Sequence, residues 1–524
     1  MNPLTDPSVQ QTLKGVFRLA VPEIALLGTA CVAFLLGCFY NRRWLWFLVS
    51  LAGVGLAAVL AASVRTEMPP VLAAAPLIPD AAAGFVRWVA IVSAAVFLFV
   101  TWPEVSRDNA AEYYGCLLVT AAGVSLVGRA NDLITLFLAL ELLSIPTYVL
   151  LYLPAQGKLN QEAAAKYFLL SVLSSAVLLF GFSYLYGLAG TTNITAIVET
   201  LTKANADRHY SSPMALLAAV MVIAAVGFRV TAAPFHFYAP DVYEGAPAGV
   251  VAQLAFLPKV AGFVALARVF GMLAADNRHL PFPVETQVPL LMWIIAVLTM
   301  SLGNILALLQ DNVRRMLAYS SVAHGGYMLM GVVIAGAVPK MGANPDVGGI
   351  DALLVYLVAY GAMTVGAFAV VLFLSAPDRP VESIDDLAGV GSSHPVSAAS
   401  MAVFLFSLIG LPLTAGFAGK FLLFVGSFTA PSDTPDMRHL YQVLAAVAAV
   451  NAAVGAYYYL RVVGVMYLRS PIRPPASSRA VPTLLASVAL AAATLAFGFY
   501  PEPLVKAARK AAPVAPAPAT ADAR

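Results

Sequence analysis

The composition of this 524-residue chain excludes an ordinary soluble domain, because 60% of its residues are hydrophobic and only 11% are charged, against about 25% charged in soluble proteins. The net charge of +3 does not favour nucleic-acid binding, since Lys and Arg mostly lie in short segments between apolar runs. We therefore expect one continuous helical bundle surrounded by lipid.

The sequence predicts no cofactor and no metal site on this chain. Cys31, Cys38 and Cys116 lie within apolar runs without CxxC spacing, which is typical of small buried hydrophobic residues. The spacing excludes a zinc site and an iron–sulfur cluster, and no GxGxxG motif follows a strand. Any redox chemistry is expected on other chains.

Apolar runs long enough to cross a membrane recur along the sequence. A span needs about 20 apolar residues, and its backbone must satisfy its own hydrogen bonds in lipid, so these runs are predicted helices. The predicted fold is an all-α polytopic membrane protein of about fourteen spans, at 22–40, 44–64, 84–102, 112–129, 132–153, 163–189, 212–234, 246–273, 287–310, 316–337, 351–376, 396–425, 440–467 and 481–500.

Loop charges predict the orientation. Taken alternately, the loops on one side carry more Lys and Arg, which by the positive-inside rule places both termini on the outer face. Lys506, Arg509 and Lys510 argue for the opposite orientation. The Ala/Pro-rich tail 511–524 is predicted to be disordered.

Two spans contain a Pro/Gly-rich break beside a charge. Span seven has Pro234 near Arg229, and span twelve has Pro412 near Lys420. Proline removes a backbone donor and clashes with the preceding turn, so we expect both helices to be discontinuous. Paired broken helices, five spans apart, indicate an internally repeated transporter with its ion path at the breaks.

Four charges fall well inside these spans: Glu141, Arg229, Lys259 and Lys420. On insertion scales each costs about 2.5–3.5 kcal/mol, so four unpaired charges cost on the order of 10 kcal/mol. One interpretation is internal salt bridges that fix helix packing. The other, which we favour, is a proton relay, because burial disfavours the charged ammonium and lets a lysine exchange its proton.

Three further titratable residues are secondary candidates. His324 in span ten could bridge the two lysines, although a structural role is the alternative. His236, beside Pro234, is predicted to line the first break in a structural or hydrogen-bonding role. Lys166 lies near a helix end, where we expect it to reach the interface, as we do for Arg268, although it could tune Glu141.

Several strings resemble a known family, the N-type membrane subunit of bacterial respiratory complex I (NADH:quinone oxidoreductase). The likeness runs from about Pro22 to Tyr500 and extends to subunits of multi-subunit cation/proton antiporters and to the L- and M-type sibling subunits. Lys420 favours the N type, because the M-type usually has glutamate there. The strings are LALELLS, EAAAKYF, PFHFYAPDVYEGAP, LPKVAGF, QDNVRRMLAYSSVAHGGYML and GLPLTAGFAGKFLLF.

The resemblance implies a fourteen-helix core with two inverted five-helix repeats. It implies proton translocation in the bacterial inner membrane, driven by quinone reduction in other subunits that carry flavin and iron–sulfur clusters, with M-type and K-type neighbours. The expected parts are a three-helix N-terminal segment 1–111, repeats 112–273 and 287–467, a last helix with flanks 468–510, and the tail 511–524.

The resemblance also assigns roles. Glu141 would be the coupling carboxylate, Lys259 the central proton carrier, Lys420 the carrier towards the exit, and His324 part of the relay between them. The chain has Arg229 where the family usually has lysine, and guanidinium keeps its proton. We therefore hypothesise that Arg229 is a fixed charge paired with Glu141. An antiporter subunit and a non-conducting structural subunit are the alternatives.

Overall fold

The computed structural model describes residues 7–64, 75–153, 157–206, 213–273, 287–335, 348–376, 379–430, 435–471 and 477–512. Within these ranges the regular secondary structure is helical, with a few isolated bridges between loops. In the same ranges, twelve helices are long and apolar enough to cross a membrane, and three shorter apolar helices accompany them. The predicted all-α polytopic fold is confirmed at this level.

The helices match the apolar runs, with shifted ends. α1 begins at Pro7, well before the predicted residue 22, and α7, α9, α14 and α19 lie outside the predicted spans. The helices are α1 Pro7–Gly37, α2 Arg43–Ser63, α3 Ala81–Val100, α4 Ala110–Arg129, α5 Leu133–Tyr152, α6 Lys158–Ala189, α7 Ile194–Ala206, α8 Pro213–Arg229, α9 Ala239–Gly245, α10 Ala248–Val269, α11 Gln287–Leu308, α12 Val313–Ala335, α13 Gly349–Leu374, α14 Val390–Ser393, α15 Pro395–Ile409, α16 Ala415–Thr429, α17 Pro435–Leu468, α18 Val481–Phe499 and α19 Glu502–Ala511.

Both breaks lie where the prolines predict them. α8 ends at Arg229, and the chain stays non-helical until α9 begins at Ala239. α15 ends at Ile409, followed by Gly410 in the left-handed conformation at φ 92°. Glycine adopts this conformation without the clash that a Cβ would cause. Each break therefore leaves helix-end carbonyls without intrahelical partners.

The core of the bundle consists of α4, α10, α12 and α13. In these helices 83%, 100%, 94% and 89% of the apolar window is buried within the protein, against 33% in α1 and 28% in α18. A helix that is apolar all round and fully enclosed can present polar groups only to other helices. Polar side chains on these four helices therefore face one another rather than lipid.

Two local expectations are corrected. Cys31 on α1 and Cys38, just after the end of α1 at Gly37, are exposed, and of the three cysteines only Cys116 is buried, because α1 lies at the edge of the bundle and turns one side outwards. Ala511, expected to begin the disordered tail, is the last residue of α19. Residues 513–524 lie outside the described residues.

Close packing between α11 and α12 depends on glycine. A Cβ at Gly303 would lie 2.5 Å from the backbone nitrogen of Ala323, and one at Gly326 would lie 2.6 Å from that of Met300. Small residues let helices approach closely in membranes, where dispersion and packing replace the hydrophobic effect. This contact fixes the position of α12 in the core.

We predict that Gly303→Ala destabilises the fold, because its added methyl meets backbone that cannot rotate away. Overpacking of this kind costs about 1–3 kcal/mol, so the midpoint of thermal unfolding in detergent should fall. Gly55→Ala is the control, since nothing lies within 4 Å of a Cβ there. Equal midpoints for the two variants would contradict the prediction.

Candidate functional site

Glu141 and Arg229 form an ion pair between α5 and the end of α8. Arg229 Nη2 lies 3.2 Å from Glu141 Oε1, and the side chains are 4% and 19% exposed. Ser175 donates to Glu141 Oε1 at 2.5 Å, and Arg229 Nη1 donates to Ser144 Oγ at 2.6 Å. These two serine hydroxyls give the carboxylate and the guanidinium hydrogen bonds beyond the ion pair itself. A buried ion pair needs such bonds to offset the cost of its desolvation.

Lys259 is held by neutral oxygens. Its ammonium, 0% exposed, donates to Val230 O at 3.0 Å, Thr231 Oγ1 at 2.5 Å and Ser321 O at 2.8 Å. Two of these acceptors belong to the non-helical segment after α8, where the break frees them. The three acceptors satisfy all three donors of the ammonium without any carboxylate.

Lys420 is held in the same way at the second break. Its Nζ donates to Leu408 O at 2.8 Å and Ile409 O at 3.0 Å, the last carbonyls of α15. These carbonyls lie at the C-terminal end of a helix, where the backbone dipole favours a cation. The Nζ also lies 4.7 Å from the ring centre of Tyr327. Each broken span therefore binds one buried lysine through its backbone.

His324 lies between the two lysines. Its Nδ1 is 2.6 Å from the hydroxyl of Tyr356, and its Nε2 is 3.0 Å from that of Tyr459. Ser321, one turn earlier on α12, accepts from Lys259, and its hydroxyl accepts from Tyr360 at 2.7 Å.

On the other side of His324 lies Tyr327, with ring centres 5.6 Å apart. Lys420 lies over that same tyrosine ring. The structure thus brings Lys259, His324 and Lys420 into one row through α12, with tyrosines between them. Ser321, His324 and Tyr327 follow one another at three-residue spacing on α12, and these three residues connect Lys259 of α10 with Lys420 of α16.

Lys166 does not contact Glu141. Its ammonium bonds Glu162 at 2.6 Å and Asp241 at 2.8 Å, and Asp241 also pairs with Arg315 at 3.0 Å. Lys166 therefore belongs to a half-exposed charge network that joins α6, α9 and α12 near the first break. Direct hydrogen bonding to Glu141 is absent from the described contacts of this side chain.

The remaining supporting candidates lie in the breaks. Pro234 and Pro412 are exposed residues of the two non-helical segments, and His236 is half-buried. Nδ1 of His236 has no hydrogen-bond partner in the described part of the chain. The prolines shape the breaks, and His236 lies beside the first break without joining the row.

The sequence analysis missed a second buried ion pair. Arg87 of α3 binds Glu23 of α1 through two bonds, Nε–Oε1 at 2.8 Å and Nη2–Oε2 at 2.7 Å, with side chains only 2% and 1% exposed. Ser125 of α4 also donates to Glu23. The signal was available, because both charges lie inside predicted apolar spans. This pair joins the N-terminal helices to the core.

Arg268 corrects another expectation. Rather than reaching the interface, it is buried and makes two bonds to Asp80 and one to the carbonyl of Gly128. The carboxylate of Asp80, at the start of α3, offers a guanidinium a bidentate partner that the interface does not. Sequence position near a helix end could not reveal this partner. Over the described residues, no group of three or more His, Cys, Asp or Glu could hold a metal ion.

We predict that Arg87→Met strongly destabilises the protein, because it leaves the carboxylate of Glu23 buried without its cation. Breaking a buried pair from one side costs about 3–5 kcal/mol. Lys506→Met is the control, since Lys506 pairs with Glu502 at an exposed position of α19. Thermal unfolding in detergent should show a lower midpoint for the first variant only, and equal midpoints would refute the role of the pair.

A family model described as the transmembrane part of NADH:quinone oxidoreductase and Mrp antiporters matches residues 130–435. The chain is 34% identical to NADH-quinone oxidoreductase subunit N of Trichlorobacter lovleyi, over 97% of this chain and 99% of the relative. It is 37% identical to the subunit of that name from Desulfovibrio desulfuricans, over 92% of this chain and 94% of the relative.

Two solved structures are similar. A chain of respiratory complex I from Thermus thermophilus with bound aureothin matches with a TM-score of 0.74 and 28% identity, covering 93% of this chain and 98% of that one. A chain of the Mrp complex from Dietzia matches with a TM-score of 0.76 and 19% identity, covering 94% and 97%. The second match shows a shared fold.

Proposed function

The chain belongs to the family of NADH-quinone oxidoreductase N subunits, and on this premise we propose that it conducts protons across the membrane as part of such a complex. The observation that carries the proposal is the row Lys259–His324–Lys420. Its titratable side chains are buried within the protein, with neutral acceptors and tyrosine hydroxyls around them. Ionisable residues at such costly positions mark proton and ion pathways in membrane proteins.

The neutral surroundings of the two lysines support a carrier role. A carboxylate partner would hold each ammonium permanently charged, whereas a carbonyl accepts from either the ammonium or the neutral amine. Lys259 and Lys420 bond to carbonyls and one hydroxyl. Each lysine can therefore change its protonation state without leaving an ion unpaired.

The Glu141–Arg229 pair is placed to control Lys259. A guanidinium group cannot serve as a proton carrier in proteins, so Arg229 acts as a fixed charge. The next residue, Val230, supplies a carbonyl to Lys259 at 3.0 Å. A shift of Arg229 relative to Glu141 therefore moves an acceptor of the lysine, and this changes the proton affinity of that lysine.

Membership of this family also bears on how the spans are arranged in the membrane. We infer fourteen crossings, twelve by long helices and two by interrupted spans, arranged as inverted repeats 112–273 and 287–467. The similar placement of Lys259 and Lys420 against their breaks supports a repeat. Both termini would face outwards in the bacterial inner membrane, beside M-type and K-type neighbours. Flavin, iron–sulfur clusters, the NADH site and quinone reduction would belong to partner subunits.

Two other functions make different predictions. An antiporter subunit would use much the same row, and the family model covers antiporters as well. Isolation from the native membrane distinguishes the two, since the proposed enzyme must bring flavin and iron–sulfur subunits with it. A purely structural subunit would tolerate replacement of the buried lysines without loss of proton movement.

We predict that Lys259→Ala and Lys420→Ala each lower NADH-driven proton pumping by at least about tenfold, since loss of a positioned proton-transfer group typically slows a proton transfer by about 10²–10⁴-fold. Fluorescence quenching of a pH dye in membrane vesicles measures the rate. Assembly of the complex is checked by its NADH–ferricyanide activity. Lys506→Ala, at an exposed position, is the control. Normal pumping in both test variants would refute the proposed function.

We predict that Arg229→Lys pumps protons at close to the normal rate, whereas Arg229→Ala is strongly impaired. Lysine preserves a cation opposite Glu141, but alanine leaves a partly buried carboxylate unpaired. The ratio of protons pumped to NADH oxidised is the measurement, made on vesicles with equal amounts of assembled complex. Unchanged coupling in the alanine variant would remove the ion pair from the mechanism.

A further inference from the structure

Glu104 lies in the loop between α3 and α4, outside the membrane-spanning helices. Its Oε1 accepts from the backbone N–H of Gly249 at 2.9 Å, in the first turn of α10. Its Oε2 is shielded from solvent, and Tyr113 also interacts with the carboxyl. Val105 is buried, whereas residues 106–108 further along the loop are exposed. The shielded carboxyl therefore lies within a few residues of the solvent-exposed part of the loop.

The groups around Glu104 come from three helices: Arg314 from α12, Tyr113 from α4 and the N-terminus of α10. Burial raises the pKa of Glu104 to about 7, against the opposing effects of the Gly249 hydrogen bond, the charge of Arg314 and Tyr113. A carboxyl in this range is protonated below neutral pH and ionised above it. It can both take up and release protons under cellular conditions.

Glu104 lies at the foot of the helices that carry the row. α10 carries Lys259, ten residues or about 15 Å beyond Gly249 at the helical rise, and α12 carries His324. A Cβ at Gly249 would lie 2.6 Å from Glu104 Oε2, so glycine there lets the carboxyl approach. The position of Glu104 thus depends on the same core helices as the row.

Polar atoms continue inwards from Glu104 along α4 and α10. The buried hydroxyl of Tyr113 interacts with Glu104 and Thr101. Thr120 lies seven residues further, on the same face of α4. Its hydroxyl accepts from Gln253 Nε2 at 3.0 Å, while Oε1 of Gln253 is buried and unpartnered within the described chain.

The next buried polar side chain, Thr364, lies on α13. A Cβ at Gly361 of α13 would lie 2.5 Å from the ring of Phe256 on α10. One turn from this contact on each helix, towards Glu104, lie Gln253 and Thr364. The side chain of Thr364 is buried, and its hydroxyl interacts with Tyr360 on the same helix.

The last steps lead to the row. Tyr360, one turn from Thr364 on α13, donates to Ser321 at 2.7 Å, and Ser321 O accepts from Lys259 at 2.8 Å. Buried polar atoms in proteins are nearly always satisfied, and water supplies the bond where no side chain does. The unsatisfied Oε1 of Gln253, on α10 between Gly249 and Lys259, therefore marks a position for bound water between Glu104 and Lys259.

We propose that Glu104 takes up protons from the aqueous phase and passes them to Lys259 through water bound between α4, α10 and α13. This proposal rests on the proposed function. In each transfer the carboxyl of Glu104 loses its proton to bound water, and the neutral amine of Lys259 gains one from the other end of that water. The carboxylate is then protonated again from the aqueous side, and no electron moves.

Glu104→Gln tests the proposal, because the amide oxygen still accepts from Gly249 N–H but no proton can be released. In vesicles containing the intact complex, NADH-driven pumping should fall by about tenfold or more. In the unmodified protein, the contribution of Glu104 should decline as pH rises through about 7, because the donor form disappears. The variant should lack this dependence. Asp385→Asn, which alters an exposed pair with Arg469, should behave as the unmodified protein.

Thr364→Val is the second variant, since valine keeps the shape and removes the hydroxyl at a distance from the helix N-terminus. It should also slow pumping, and it decides the question if Glu104→Gln does not assemble. A capping role alone predicts normal pumping and a normal pH profile in both variants, which would overturn the proposal. If they pump normally while Lys259→Ala does not, only this inference fails; if Lys259→Ala also pumps normally, the proposed function fails.

Discussion

The arrangement of this protein depends on the need of a buried ammonium for hydrogen-bond acceptors in a medium that offers none. An intact helix uses its carbonyls internally, apart from those of its last turn. The breaks after Arg229 and Ile409 free further carbonyls, and Lys259 and Lys420 bond to them, while Lys259 also bonds to the carbonyl of Ser321 within α12. The broken helices therefore supply most of the acceptors that keep these lysines in the protein interior.

The two breaks differ in what else they bring. At the first break, Arg229 is paired with Glu141, and the following carbonyl holds Lys259. At the second, Lys420 has backbone acceptors and a tyrosine ring, without a carboxylate among its described contacts. On the proposed function, a charge perturbation reaching this chain would act directly on the first lysine, whereas the second would respond through the row between them.

Much of the site could be predicted because charges in apolar runs are costly and therefore conspicuous. Glu141 and Arg229 were expected to pair, and they do. The ion-pair partners of charges near helix ends could not be predicted from their positions in the sequence. Lys166 binds Asp241 rather than Glu141, and Arg268 binds Asp80 rather than reaching the interface. Long flexible side chains near helix ends have several partners within reach, and only the packing of distant segments selects one.

The sequence by itself determined the lipid environment, the helical fold, the two breaks and the four charges at Glu141, Arg229, Lys259 and Lys420 within the spans, since these follow from hydropathy and from proline chemistry within short segments. Only the tertiary structure decided which oxygens hold each lysine, that tyrosines flank His324, and that Glu104 in a connecting loop lies beneath α10. These contacts join residues far apart in the chain, and their geometry depends on how helices pack, which no local pattern specifies.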